Sequence, residues 1–114
     1  MDTRIESVLR IIARDPAIPI GDLAAAVNLS GSRLRHLFRS CAGASLSRYA
    51  TAAKMDKART LLDGSFLNGK EVMHAIGYSD PTHFIRIFKR HFGTTPAKYR
   101  ARASRYNAAK ITEE

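Results

Sequence analysis

Few residues in this 114-residue chain can do chemistry, and their spacing decides which kind. There are four histidines, His36, His74, His83 and His91, and one cysteine, Cys41. The histidines fall on three expected helices. His83 and His91 share one helix but stand two turns apart, too far to hold one metal ion. A lone cysteine closes no intrachain disulfide and frames no cysteine-based zinc site. Cys41 reads as a small buried apolar residue rather than a reactive thiol. Paired carboxylates, a Ser/His/Asp set and a glycine-rich phosphate loop are all absent at catalytic spacing. Ser30 and Ser45 read as helix caps, not nucleophiles. The expectation is therefore no enzyme, no metal, no cofactor and no small-molecule ligand within this segment.

Hydrogen bonding to nucleic acid is better served. Ser32, Arg35, His36 and Arg39 recur at i, i+3, i+4 and i+7, with Arg33 beside them. Opposite them run the apolar Leu34, Leu37 and Phe38. Further on, Thr82, His83, Arg86, Lys89 and Arg90 lie opposite the stripe of Phe84, Ile87, Phe88 and His91. Each set is a polar, basic face on a helix with a firm inner face. Arg can take guanine through O6 and N7, with about 1–3 kcal/mol of discrimination per bidentate pair, and Thr can meet a thymine methyl. The expected base readers are Ser32, Arg35 and His36 on one helix and Thr82, His83 and Arg86 on the other. For Ile85, an apolar base contact and partial core burial both stand open. Arg33, Arg39, Lys89, Arg90 and Arg100 are assigned to phosphates, which fix register and give salt-dependent affinity. A plain solvated surface is the competing reading for each, His36 included.

Charge favours the first reading. The net charge is +9 and the isoelectric point is near 10.3. Between Asp80 and Glu113 there is no acidic residue, while Arg86, Lys89, Arg90, Lys98, Arg100, Arg102, Arg105 and Lys110 all fall there. Such asymmetry calls for a polyanionic partner. Phe38, Phe84, Phe88 and Phe92 sit on core faces rather than on a platform for stacked bases, which argues against single-stranded RNA. No apolar run approaches the roughly 20 residues of a membrane span, and the amphipathic, mixed-charge start is no signal peptide. A reducing cytosol fits the cysteine usage.

The elements that must position these residues are all helical. A first helix over about Asp2–Arg14 turns Ile5, Val8, Leu9, Ile11 and Ile12 inward, and Asp15-Pro16 stops it. A short helix over about Ile20–Val27 turns at Asn28-Leu29. Ser30 then caps a helix that runs to about Cys41 and ends at Gly43. Ser45 caps a connecting helix to about Leu62, closed by Asp63-Gly64. At about 17 residues it spans roughly 25 Å, against about 34 Å between successive major-groove faces. Asn68 and Glu71 form a capping box at the start of the fifth helix, which carries Val72, Met73, Ala75 and Ile76. Gly77 closes it in a left-handed conformation. Asp80-Pro81 opens the sixth helix, over about Pro81–His91, and Thr95-Pro96 opens the seventh by the same device. The seventh holds Tyr99 against the core and extends towards Tyr106. The prediction is an all-α chain of about seven helices. Two helix-turn-helix subdomains, 1–44 and 64–108, are joined by a linker helix over 45–63, with a frayed tail over 109–114. Backbone N–H groups at the starts of the second, fifth and seventh helices are further phosphate candidates.

Gly77-Tyr78, Phe84, Phe88-Lys89, Phe92-Gly93, Thr95-Pro96 and Tyr99-Arg100 together resemble the signature of the AraC/XylS family of bacterial transcription regulators. The earlier stretch LAAAVNLSGSRLRHLFRSCAG resembles that family's first helix-turn-helix, in spacing more than identity. One departure is Met73, where the family usually carries a small Ala. The resemblance implies sequence-specific binding of double-stranded DNA, with two recognition helices in adjacent major grooves of a site of roughly 20 base pairs. It also implies RNA polymerase as a protein partner. A low-specificity architectural DNA binder and a protein-interaction module remain alternative readings. Two readers in one chain remove the usual need for a dimer, so a monomer is expected. A stand-alone regulator and the DNA-binding part of a longer one both fit.

Overall fold

A computed structural model describes the backbone of residues 2–113 and the side chains of residues 2–104. The backbone past Tyr106 and over 109–113 belongs to the last helix, while the side chains from residue 105 on, and Glu114 at the end of the expected tail, lie outside the described residues. Among those described, the chain is built of seven helices and no strand: α1 (Thr3–Arg14), α2 (Ile20–Ala26), α3 (Gly31–Ala42), α4 (Leu46–Gly64), α5 (Gly69–Ala75), α6 (Pro81–Phe92) and α7 (Pro96–Glu113). It divides into two units, Met1–Lys54 and Met55–Glu114, with the division inside α4.

Helix starts follow from short polar side chains that accept from otherwise unpaired backbone N–H groups. Asp2 accepts from Arg4 N at 2.8 Å, Ser30 from Arg33 N at 3.1 Å and Ser45 from Arg48 N at 3.2 Å. Asn68 and Glu71 accept from each other's backbone N–H at 2.8 and 2.9 Å, a complete capping box. Asp80 accepts from Thr82 N at 3.0 Å, and Thr95 from Lys98 N at 3.3 Å. α4 outlasts its expected end by two residues, taking in Asp63 and Gly64.

The first unit packs Ile5, Val8 and Ile12 of α1 against Leu23, Ala24, Leu34, Phe38 and Leu46, all nearly or wholly buried. The second packs Met55, Ala58 and Leu62 of α4 against Val72, Met73, Ile76, Phe84 and Phe88. Met73 is accommodated there, buried among these neighbours. Phe88 has no exposed surface, and its ring lies 4.7 Å from Phe92, 5.9 Å from Tyr99 and 6.0 Å from Phe84 between centroids. Full burial of such a ring contributes about 1.5–3 kcal/mol.

The same turn is built twice. Asn28 follows α2 with φ 59°, and Gly77 follows α5 with φ 88°. Asn28 N donates to Ala25 O and Leu29 N to Ala24 O, at 3.2 and 3.0 Å. Gly77 N donates to His74 O and Tyr78 N to Met73 O, at 3.1 and 3.0 Å. This paired bonding around a left-handed residue is the Schellman motif, which Gly accepts without steric cost and Asn with little. It satisfies the last carbonyls of the short helix and redirects the chain into the next one, and that redirection is what makes each helix-turn-helix.

Candidate nucleic-acid interface

α3 and α6 each have 12 residues, and their first residues, Gly31 and Pro81, stand 50 apart in the sequence. The same offset brings Leu34 and Phe38 onto Phe84 and Phe88, the buried pairs of the two helices. It also pairs Ser32 with Thr82, Arg35 with Ile85, His36 with Arg86, and Arg39 with Lys89. With the buried stripe turned inward, helical geometry sends these side chains outward.

Burial bears this out residue by residue. Ser32, Arg35 and His36 are exposed on α3, as are Arg33 and Arg39. Thr82 and Arg86 are exposed on α6, as are Lys89 and Arg90. His83 differs from the other expected readers. It is half-buried, with its ring 5.3 Å from that of Tyr78, so the turn residue holds the imidazole against the protein. Ile85 is 43% exposed at the place Arg35 takes on α3, part of it open to solvent and part against the protein. The repeat offset lays His83 on Arg33 and Ile85 on Arg35, both exposed, so it is the ring of Tyr78 that separates the two on α6.

Arg100 requires a correction. Its charge and place suggested a phosphate, but its guanidinium is turned into the protein. Nε donates to Leu62 O at 3.3 Å, and Nη2 donates to Leu61 O at 3.3 Å and Ser65 O at 3.2 Å. Nη1 donates to Leu67 O. Four backbone carbonyls thus take donors that a phosphate would need. Cys41 is a second correction: it is exposed rather than buried. His91, the residue 50 positions later, is exposed as well and leaves the apolar stripe. On both helices the buried stripe ends at Phe38 or Phe88, so position i+7 passes beyond the core. Ala75 likewise faces solvent, and Met73 takes the inward place on α5.

The starts of the shorter helices differ in what they leave free. α2 follows Pro19 with no side-chain cap, so its first N–H groups have no side-chain partner there. In α5 and α7 one N–H is already held by Asn68 or Thr95. No group of three or more His, Cys, Asp or Glu residues at metal-binding range occurs among the described residues. None of the described helices is long and apolar enough to cross a membrane. A groove of about 710 Å³ lies beside the start of α6, lined mainly by apolar side chains that include Met73, Phe84 and Ile85.

Comparison with known proteins agrees with this geometry. A family model described as a helix-turn-helix domain, of the AraC type, matches residues 23–102. A winged helix-turn-helix DNA-binding model matches residues 1–41, although no strand that could form a wing occurs among the described residues. The arabinose operon regulatory protein of Escherichia coli (strain K12) is 32% identical over 104 residues, covering 89% of this chain and 36% of the relative. The C-terminal domain of the two-component response regulator yesN from Fusobacterium nucleatum superposes with a TM-score of 0.76 at 27% identity, covering 87% of this chain and 99% of that one. The DNA-binding domain of AdpA, solved in complex with a target DNA, superposes with a TM-score of 0.74 at 25% identity, covering 85% and 89%. The chain spans about a third of the length of the curated relatives it matches. With its doubled helix-turn-helix and a family match over most of its length, the chain belongs to the AraC-type family of helix-turn-helix DNA-binding regulators.

Proposed function

We propose that this chain binds double-stranded DNA sequence-specifically and regulates transcription, reading bases with α3 and α6. The supporting observation is the repeated arrangement of exposed polar residues opposite buried stripes: Ser32, Arg35 and His36 on α3, and Thr82, Ile85 and Arg86 on α6. Ser32 and Thr82 begin each set near the helix start, where a recognition helix meets base edges. Arg35 and Arg86 take guanine by paired hydrogen bonds, His36 a base edge, and Ile85 a thymine methyl. His83, held by Tyr78, contributes less than its sequence position suggested. Arg33, Arg39, Lys89 and Arg90 contact phosphates, joined by the uncapped N–H groups at the start of α2.

Two readers in one chain fit an asymmetric site of roughly 20 base pairs, with half-sites about one helical turn apart. They also fit binding as a monomer in the cytoplasm, with no catalytic step. RNA polymerase is the proposed protein partner, and the wholly exposed Phe66, between α4 and α5, is a candidate contact outside the reading faces. Selection from a random duplex library tests the main reading. Enrichment of a two-part motif supports it. Uniform retention of all duplexes would favour an architectural binder, and retention of none a protein-interaction module.

A further inference from the structure

We infer that Arg100 is a positioning residue for DNA reading: its guanidinium ties the start of α7 to the end of α4 and to the loop that launches α5, and so sets the seat of α6. This rests on the reading of α6 as a base-reading helix.

The four carbonyls that Arg100 holds are not arbitrary. Leu61 and Leu62 lie in the last turn of α4, where carbonyls begin to lack the partner that a continuing helix supplies; the Leu61 carbonyl is also met by Ser65 N at 3.1 Å and Ser65 Oγ at 2.7 Å, so Arg100 joins a bond that already turns the chain there. Ser65 and Leu67 lie in the irregular link between Gly64 and Gly69, which is held locally by Leu67 N donating to Ser65 Oγ at 3.3 Å and is tied to α7 by Arg100. Leu67 directly precedes Asn68, the cap that sets where α5 begins. From α5 the Schellman turn at Gly77 leads into α6, and a short turn through Gly93 leads from α6 to α7. α6 packs on both α5 and α7. Arg100 therefore closes a ring that runs from the end of α4 through α5, α6 and α7 and back. Tyr99, its neighbour, adds a second tie by donating to the Asp63 carboxylate at 2.9 Å.

Only a guanidinium fits this task. Its rigid planar fork reaches carbonyls on several sides at once, whereas a lysine ammonium is a compact point with three donors. Arg100→Lys thus keeps the charge and loses the clasp. A phosphate contact would predict the opposite, tolerance of Lys.

The test uses the full chain and three duplexes: the selected site, the same site with the α6 half scrambled, and random sequence. Binding is measured across salt concentrations at a temperature where circular dichroism shows each variant folded. Arg100→Lys should bind the selected site about tenfold more weakly, the equivalent of one base contact out of register. Affinity for random duplex and the salt slope should stay unchanged. Equal weakening on all duplexes for Arg100→Ala, with a slope smaller by about 0.9, would make Arg100 a phosphate contact and overturn the inference. A lower melting temperature with wild-type affinity in the folded state would reduce it to a structural residue, which also overturns it. If Arg100→Lys melts below the assay temperature, Tyr99→Phe loosens the same junction by one bond. An unchanged ratio of selected-site to random affinity in that variant then counts against the inference. Arg86→Ala separates the two ideas: if discrimination survives it, the α6 reading fails whatever Arg100 does.

Discussion

Thr94 offers a prediction whose size can be worked from one atom. It sits in the turn between α6 and α7 and is 7% exposed. Its Oγ1 is buried and has no hydrogen-bond partner among the described residues. A hydroxyl taken out of water without a partner costs about 1–3 kcal/mol. Valine has nearly the same shape and a similarly stiff χ1, so Thr94→Val removes the cost and leaves the packing in place. We expect a gain of about 1 kcal/mol or slightly more in the unfolding of the second unit, or roughly 4–8 °C per kcal/mol for a domain of this size. Thr94→Ser keeps the hydroxyl and removes a methyl, so it should lose stability. Urea melts followed by circular dichroism give both values, with the slope checked to be unchanged. DNA affinity should not move, because Thr94 lies off both reading faces. A Thr94→Val variant no more stable than the wild type would show that the hydroxyl is satisfied, by water or by a rearranged turn, and would refute the reasoning.

Other expectations follow from the same structure. Arg86→Ala should cost about 1–3 kcal/mol on the selected site and relax choice at one position, whereas Lys89→Ala should weaken all duplexes alike and lower the salt slope by about 1; equal behaviour of the two variants in titrations would remove the distinction. Phe88→Ala should cost about 3–5 kcal/mol, because the ring is wholly buried among Phe84, Phe92 and Tyr99, and a denaturant melt measures it. Burial, and then the bond to Asp63, push the Tyr99 phenol above its usual range. The folded state therefore keeps that proton after the unfolded chain loses it. The stabilisation is complete below about pH 10 and is lost as pH rises towards the raised value. Melts at high pH should show this extra loss in the wild type and not in Tyr99→Phe. The Arg4 side chain holds the Asp2 carboxyl below its usual range, so that cap's contribution persists above the ordinary carboxylate value and disappears as pH falls through the lowered one. An acid titration of α1 helicity, repeated with Asp2→Asn, checks it.

What the sequence made legible was local. Caps at Asp2, Ser30, Ser45, Asn68 and Asp80 declare themselves by residue type and by the apolar period that follows, and each is bonded as that pattern implies. The stops at Gly43, Gly77 and Gly93 are equally local, since each adopts the left-handed backbone that Gly tolerates best. What stayed hidden depended on distance along the chain. The carbonyl partners of Arg100 lie 33–39 residues earlier, so its charge alone pointed to phosphate. Cys41 and His91 fit a helical period that continues past the depth of the core, and no period reports where a core ends. His83 and Ile85 rank by residue chemistry as a polar ring above an aliphatic side chain. The ring of Tyr78 against His83 and the exposure of Ile85 reverse that order, and neither can be read from residue type or helical period.

The account rests on two readers in one chain acting on one DNA. Selection of bound duplexes, followed by footprinting of the winner with wild type, Arg35→Ala and Arg86→Ala, tests it most directly. The prediction is a protected stretch of roughly 20 base pairs with two half-sites about 10 base pairs apart, one relaxed by each substitution. A footprint of half that length, or both substitutions relaxing the same half-site, would contradict it.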